Sequence, residues 1–255
     1  MRRSDCHVHF DRIGPPHRTE PASVQEFEAY VRAEGVSLVC GIYERPEILE
    51  AFRAAAAVDI VPFFWERHPT EPHIPVGAAG IKLHPYIEEY VLTESNVGRV
   101  LRVAAERSLP VLIHLDDRQP DCSRGRLVEL LAREFREVTF IMAHAGSYAP
   151  GVRERPGESW VSEDLVKELV SEAIDVADRY ENVYMEVSIL ASRAKAELIA
   201  RTAPLAKVLL GSDFPIYKGL YGNVRYQEEA LVAAGLQFEA IPILHQNAFR
   251  LFGSA

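Results

Sequence analysis

The sequence predicts an α/β fold, a single (β/α)8 barrel (TIM barrel) that fills residues 1–255. Short β-rich runs alternate with longer helix-period segments along almost the whole chain, which is typical of βα units that form a parallel sheet. The runs reach the eight strands of a barrel, a fold that typically needs about 250 residues. No linker or shift in composition divides the chain, so we expect one domain. A doubly wound open sheet stays an alternative, because periodicity does not show whether a sheet closes.

The predicted strands are short, and several are apolar almost throughout, as expected for strands covered on both faces. In chain order they are Asp5–Phe10, Val36–Tyr43, Asp59–Trp65, Gly80–His84, Val111–Leu115, Val138–Ala143, Val183–Val187 and Val208–Gly211. Between them, apolar residues recur at spacings of three and four, which predicts amphipathic helices. These include Val24–Ala33, Val97–Arg107, Arg126–Phe135, Leu165–Tyr180 and Ala194–Arg201, and Asn247–Phe252 belongs to a last helix.

Composition and charge limit the functional classes. With 28 Lys and Arg against 37 Asp and Glu, the formal net charge is −9, so we expect no binding to nucleic acid or to an anionic membrane surface. No segment reaches the ~20 apolar residues of a membrane span, and the N-terminal residues lack the apolar stretch of an export signal. The three widely spaced cysteines, Cys6, Cys40 and Cys122, indicate neither a disulfide framework nor a cysteine-based zinc site. We therefore expect a cytoplasmic protein that acts on a small molecule, and a homo-oligomer is left open.

The strongest local pattern is the His-x-His of His7 and His9, which we place at the start of the first strand. Alternate side chains of a strand share a face, so His7 and His9 should project together while Cys6 and Val8 point the other way. Two imidazoles on one face can converge on one cation. Alone the pattern is weak, since His-x-His also recurs without a metal.

Three further residues lie at or just after the C-terminal ends of predicted strands. His114, His144 and Asp213 each come at the C-terminal end of an apolar run, and in a βα barrel that end carries the catalytic residues. Imidazoles with one carboxylate suit zinc, or manganese or iron where the supply favours them. A metal ion there would lower the pKa of a bound water towards ~7, and Asp213 could accept its proton.

These pieces together resemble the amidohydrolase superfamily, and in particular amidohydrolase family 2. The matching segments are Asp5–His9, Gly80–Pro85, Pro110–His114, Met142–Gly146, Gly211–Pro215 and Gln246–Phe252, in the order of the family and over essentially the whole chain. The resemblance implies a barrel with one metal on His7, His9, His114 and Asp213. It places His144 on a second metal or facing the substrate.

Lys82 separates two versions of such a site. It shares the inward face of its predicted strand with His84. In binuclear members of the superfamily a lysine of the fourth strand is carboxylated and bridges two metals, whereas an unmodified Lys82 would bind a substrate carboxylate or oxyanion. We favour one metal, because the family branch that the chain resembles mostly uses one. A third reading is a structural lysine that is ion-paired to Asp116 or Glu186.

Substrate-binding residues are assigned with less support. His84 and Arg118 lie near the mouth, and the segment Ala145–Ser162, which contains Arg153 and Trp160, could close over an anionic substrate. Ordinary surface arginines explain that segment equally well. Glu186 stands where the family more often has Asp, so its role is open, and His245 is best read as a packing residue.

We therefore predict a metal-dependent hydrolase that uses an activated water on a small, carboxylated lactone, ester or amide, with Asp213, His144 and Lys82 as catalytic residues. A non-redox decarboxylase or hydratase of the same superfamily branch is the alternative. A metal-dependent nuclease fits less well, because such enzymes carry a bridging Glu in place of Lys82 and the net charge is −9. A scaffold without activity would need the ligands to be lost, yet every expected ligand type is present.

Overall fold

The computed structural model describes residues 2–11, 22–55, 57–148, 161–216 and 222–253. Eight parallel strands form one sheet in the order β1 to β8. The sheet closes through a parallel bridge between Val8 and Phe214, in which the His9 amide donates to the Phe214 carbonyl at 2.7 Å. The fold is therefore an α/β barrel, as predicted, and the open-sheet alternative is wrong.

Within the described ranges, helices follow every strand except β3, which connects to β4 through residues 66–79. The strands are β1 Arg3–His9, β2 Val36–Tyr43, β3 Asp59–Trp65, β4 Gly80–Leu83, β5 Val111–Ile113, β6 Phe140–Met142, β7 Val183–Val187 and β8 Val208–Leu210. The α-helices are α1 Val24–Glu34, α2 Pro46–Ala55, α3 Glu94–Glu106, α4 Gly125–Glu134, α5 Glu163–Arg179, α6 Arg193–Thr202, α7 Val224–Ala233 and α8 Ile241–Phe252.

Local chemistry explains several of these boundaries. Ser23 and Glu26 form a reciprocal capping box at the start of α1, and Gly35 ends that helix in the left-handed region at φ 69°. The hydroxyl of Ser162 accepts from the Leu165 amide at the start of α5. These caps satisfy amides and carbonyls that have no partner within the helix itself.

The first strand differs from the predicted one. It starts at Arg3 and ends at His9, so the His-x-His pair lies at its C-terminal end and not at its start. Asp5 pairs with Val39 and Val8 pairs with Gly41, which leaves two residues of β1 opposite one residue of β2. This is a β-bulge, and it breaks the alternation of side chains.

Because of the bulge, the side chain of Cys6 lies in a different place from the one that strand alternation predicts. Cys6 packs in a cluster with Leu38, Cys40 and Leu209, whereas Val8 packs in the larger cluster with Phe10. Cys6 and Val8 therefore do not share a face as alternation predicts, although His7 and His9 do project together. The extra residue in the strand is the physical reason.

A hydrogen-bonded network joins β1 to the last two helices. The Ser4 amide donates to Nδ1 of His245 at 3.0 Å, and Nε2 of His245 lies 2.9 Å from Glu228. Glu228 also accepts from Nε of Arg3 at 2.6 Å. His245 is buried within this network, in keeping with a packing role. None of the described helices is long and apolar enough to cross a membrane.

Candidate metal centre

The predicted ligands meet at the C-terminal end of the barrel. His7 and His9 end β1, while His114 and Asp213 follow β5 and β8, and His144 follows β6. All five side chains are buried. Residues that are far apart in the chain thus reach one place because parallel strands end at the same rim of a barrel.

Three ligand atoms form a compact triangle. Nε2 of His7 lies 3.3 Å from Nε2 of His9, and Oδ1 of Asp213 lies 3.3 Å from each of these nitrogens. His144 joins this group, since ligand atoms of His7, His144 and Asp213 all lie within 4.8 Å of one another. Four ligands at 2.0–2.1 Å from a tetrahedral zinc ion lie about 3.3 Å from one another, so the triangle has the size that zinc requires.

Glu186 fixes the orientation of His7. Its Oε2 lies 3.0 Å from Nδ1 of His7, which assigns the proton of the ring to Nδ1 and leaves the lone pair of Nε2 inside the triangle. Gly211 provides the space for this contact, because a Cβ at that position would lie 2.2 Å from Oε1 of Glu186. Burial raises the pKa of Glu186 to about 7, against the bonds from the His144 amide and the Ser188 hydroxyl. Glu186, whose role the sequence left open, is therefore a partner of His7.

His144 and His114 are held in the same manner. Ser188 donates its hydroxyl proton to Glu186 and so accepts from Nδ1 of His144 at 2.8 Å. Nε2 of His114 lies 3.0 Å from the carboxylate of Asp116. These contacts assign lone pairs to Nε2 of His144 and Nδ1 of His114, which face each other at 3.1 Å.

Two facing lone pairs repel each other unless a cation lies between or beside them. Burial lowers the pKa of His7 and His144 well below the usual value and that of His114 to about 3, so the three rings are neutral. Neutral imidazole is the form that binds a metal ion. The donor set, its protonation and its spacing therefore fit a divalent cation.

Lys82 is next to these ligands. Its buried Nζ lies 3.2 Å from Nε2 of His7, and burial lowers its pKa to about 8. Within the described part of the chain it forms no ion pair with Asp116 or Glu186, so the ion-paired structural reading of Lys82 is wrong. The ammonium instead points one donor at a candidate metal ligand.

Sequence reasoning missed the role of Asp5. Its Oδ1 accepts from the amides of His7 at 3.1 Å and Ser212 at 2.9 Å, and its Oδ2 accepts from the hydroxyls of Ser212 and Tyr30. Asp5 thereby ties the strand that carries His7 to the turn that carries Asp213. An acidic residue inside an apolar strand was the available signal.

The turns that present His144 and Asp213 are strained. His144 has φ 57° and Asp213 has φ 59°, values in the left-handed region that residues other than glycine rarely adopt. Gly146 follows at φ 91°, and a Cβ there would lie 2.6 Å from the Leu169 carbonyl. Such strain clusters at functional sites, where the surrounding contacts enforce it.

Planar side chains line the site on the side of β3 to β5. Trp65 stacks on His84 with ring centroids 5.5 Å apart, and His84 stacks on His114 at 3.8 Å. The guanidinium of Arg67 covers Trp65 at 4.2 Å and pairs with Glu44 and Glu88. His84 thus packs against both Trp65 and His114, whereas Arg67 is engaged in ion pairs.

Arg118 lies between two tyrosines. Its guanidinium is 4.5 Å from the Tyr86 ring and 5.0 Å from the Tyr148 ring. Its Nε and Nη2 bind the carboxylate of Asp116 at 2.9 and 2.5 Å. One edge of the guanidinium is therefore fixed, and Nη1 is directed elsewhere. The other two predicted substrate-binding residues, Arg153 and Trp160, lie outside the described residues.

Comparisons with known proteins bear on the family and on the fold. A family model described as amidohydrolase matches residues 75–254. Among curated proteins none matches significantly. An amidohydrolase from Burkholderia multivorans with bound zinc aligns over 100% of both chains, with 13% sequence identity and a TM-score of 0.70.

Two further solved structures illustrate the range of chemistries on this fold. A probable 2-pyrone-4,6-dicarboxylic acid hydrolase from Acinetobacter baumannii with bound citric acid has 14% identity, covers 100% of both chains and has a TM-score of 0.67. The 5-carboxyvanillate decarboxylase from Sphingomonas paucimobilis has 11% identity over 100% of this chain and 99% of its own, with a TM-score of 0.61. At these identities the likeness establishes the fold alone.

Proposed function

Because the chain belongs to amidohydrolase family 2, we propose that it is a metal-dependent hydrolase of a small carboxylated lactone, ester or amide. The observation that carries the proposal is the triangle of ligand atoms from His7, His9 and Asp213, with sides of 3.3 Å. His144 supplies a further nitrogen. The bound zinc of a structural relative supports zinc as the metal, and manganese or iron stay alternatives.

We favour a single ion on His7, His9, His114 and Asp213, the ligand set that the family resemblance implies. His144 is the alternative to His114, because its ligand atom lies within 4.8 Å of those of His7 and Asp213. A divalent ion in such a site polarises a carbonyl and makes water a stronger acid. A second ion would need a carboxylated Lys82. Nε2 of His7 has one lone pair, so a bound ion would release the unmodified ammonium of Lys82 from its 3.2 Å contact with that atom and free it for the substrate.

The residues of the chain divide the remaining work. Burial raises the pKa of the Asp213 carboxyl, so this group is suited to accept a proton from the attacking water and pass it to the leaving group. With His114 as the fourth ligand, His144 is the second residue suited to transfer a proton, because the lone pair of its Nε2 is then not bound to the ion. Both residues are held by their turns, which reduces the cost of orienting them at the moment of reaction.

The anionic group of the substrate is assigned to two cations. Lys82 lies among the ligands and suits an oxyanion near the reacting carbon, whereas Arg118 suits a carboxylate farther out. Asp116 holds one edge of the Arg118 guanidinium, and the tyrosines hold its faces. A planar cation fixed in this way binds a carboxylate with little loss of side-chain freedom.

A lyase is the second candidate, because the fold is shared with a decarboxylase. In that case His144 or Asp213 would deliver a proton to carbon. The product separates the two reactions: acid release from lactones in a pH-stat supports hydrolysis, and carbon dioxide release from hydroxybenzoate-like acids supports the lyase.

The first experiment is metal binding and turnover by the wild type and by His7→Ala. We expect the wild type to take up about one zinc per chain and to hydrolyse a member of a panel of carboxylated lactones, and His7→Ala to do neither. Protein that binds neither zinc nor manganese, with His7→Ala indistinguishable from the wild type, would contradict the proposal.

Free thiols at Cys6, Cys40 and Cys122 support a reducing, cytoplasmic setting for this activity.

A further inference from the structure

Helix α6 places a buried ammonium group against two turns that carry site residues. Lys195 is fully buried, and its Nζ donates to the carbonyls of Ser147 at 2.7 Å, Ser188 at 3.2 Å and Ile189 at 3.5 Å. The three acceptors match the three protons of an ammonium group. Ser147 follows β6 and Ser188 follows β7, so one side chain joins the ends of two neighbouring strands.

Both turns lead directly to His144. The hydroxyl of Ser188 contacts Nδ1 of His144 at 2.8 Å, and Ser147 lies three residues after His144. Ile189 has φ 53°, and His144 and Ala145 have φ 57° and 48°, so each turn contains a residue other than glycine in the left-handed region. Backbone of this kind persists only when neighbouring contacts enforce it.

The cost of burying Lys195 indicates that its bonds are specific. Burying an ammonium group costs several kcal/mol of hydration free energy, whereas burying an apolar side chain of equal length has no such cost. Burial lowers the pKa of Lys195 to about 8, while the charges of Asp117, Glu186 and Asp213 oppose this shift. Among the residues that the structure describes, Lys195 donates to main-chain carbonyls and to no carboxylate.

We propose that Lys195 is a positioning residue for His144. By fixing the turns after β6 and β7, it holds the Ser188 hydroxyl against Nδ1 of His144 and directs Nε2 of that ring into the candidate metal centre. The inference rests on the proposed function only where it assigns His144 to the chemistry. Its structural part concerns the orientation and tautomer of one histidine.

The test compares Lys195→Met with Lys207→Met. Methionine keeps most of the apolar stem in both variants and removes the ammonium group. Lys207 also donates to main-chain carbonyls, those of Tyr180 and Glu181, but it precedes β8 and so lies at the opposite end of the barrel. It is therefore a control for the loss of a lysine that binds carbonyls.

Two quantities are measured in each protein at a fixed interval below its unfolding temperature. The first is the tautomer of His144 in metal-free protein, from long-range ¹H–¹⁵N NMR of the imidazole rings. The second is zinc affinity, from competition with a chelator. Lys195→Met should lose the single Nδ1–H tautomer of His144 and bind zinc roughly 10- to 100-fold more weakly, whereas Lys207→Met should match the wild type in both.

A Lys195→Met protein with the wild-type His144 spectrum and zinc affinity would overturn the proposal. If this variant does not fold, Ser188→Ala breaks the same link with Lys195 intact, and an unchanged His144 spectrum would overturn the proposal too. A failure of the proposed function can be told apart from a failure of this proposal. If the wild type bound no zinc, the proposed function would fail, but the NMR spectrum of His144 in metal-free protein would still test the role of Lys195.

Discussion

Oε2 of Glu186 lies 3.0 Å from Nδ1 of His7, and Gly211 leaves the space in which this carboxylate fits. The contact fixes which nitrogen of His7 carries the proton and so which one faces the ligand triangle. The metal site therefore depends on Glu186, which is not itself a candidate ligand, and on Gly211, which leaves room for it.

Gly211→Ala should weaken zinc binding roughly 10- to 100-fold, because the new Cβ would lie 2.2 Å from Oε1 of Glu186 and 2.9 Å from Cβ of His7 and would therefore displace both side chains. Chelator competition measures the affinity. Gly77→Ala is the matched control, since a Cβ at Gly77 meets nothing within 4 Å. Equal affinities of Gly211→Ala and the wild type would show that Glu186 does not orient His7.

Asp5→Asn should lower the free energy of unfolding by about 1–3 kcal/mol, because the amide of Asn cannot accept from all four donors that now face Asp5. Tyr30→Phe removes only one of these donors and should cost about 1 kcal/mol. Urea unfolding measures both. Asp5→Asn should also weaken zinc binding, and Tyr30→Phe should weaken it much less. If Tyr30→Phe weakened zinc binding more than Asp5→Asn, Asp5 would not be the residue that positions His7 and Asp213.

Glu228 gives a dependence of stability on pH. Burial alone would raise its pKa, but bonds from His245 and Arg3 lower it below the ordinary value of 4.5. The ionised form is therefore favoured in the folded state, so its stabilisation is present above about pH 4.5 and is lost as the pH falls through the lowered pKa. Glu228→Gln should be less stable than the wild type by about 1–3 kcal/mol at pH 7.

The same two proteins should converge in stability as the pH falls from about 4.5 towards 3, as followed by urea unfolding at each pH. A difference that stays constant over this range would mean that the ionised carboxylate contributes nothing. The ion pair of Arg193 and Glu197 on the surface of α6 is the control, since Glu197→Gln should change stability far less than Glu228→Gln does.

Arg118→Lys should raise the KM of a carboxylated substrate roughly 10- to 100-fold, because lysine cannot bind Asp116 at one edge and a carboxylate at the other. The methyl ester of the same substrate should lose far less. Arg99→Lys is the control, since Arg99 is exposed and, within the described ranges, its side chain donates to the Thr70 carbonyl alone. An equal loss for acid and ester would remove Arg118 from carboxylate binding.

The sequence predicted the barrel and gathered His7, His9, His114, His144 and Asp213 at one rim, because strand ends can be read from apolar runs. It did not predict the contacts between side chains from distant segments, such as Asp5 with Ser212 or Lys195 with Ser147. Such contacts depend on three-dimensional register, which a single sequence does not encode locally. The bulge at Cys6 was missed for the same reason, since alternation assumes a regular strand.

Anomalous diffraction at the zinc edge locates a bound zinc ion and its ligands in one experiment. Zinc-loaded crystals should contain one peak per chain between His7, His9 and Asp213, with ligand distances of about 2.0–2.1 Å and an uncarboxylated Lys82. The peak should be absent in His7→Ala. A wild-type crystal with no peak at these residues, or a peak that persists in His7→Ala, would contradict the account.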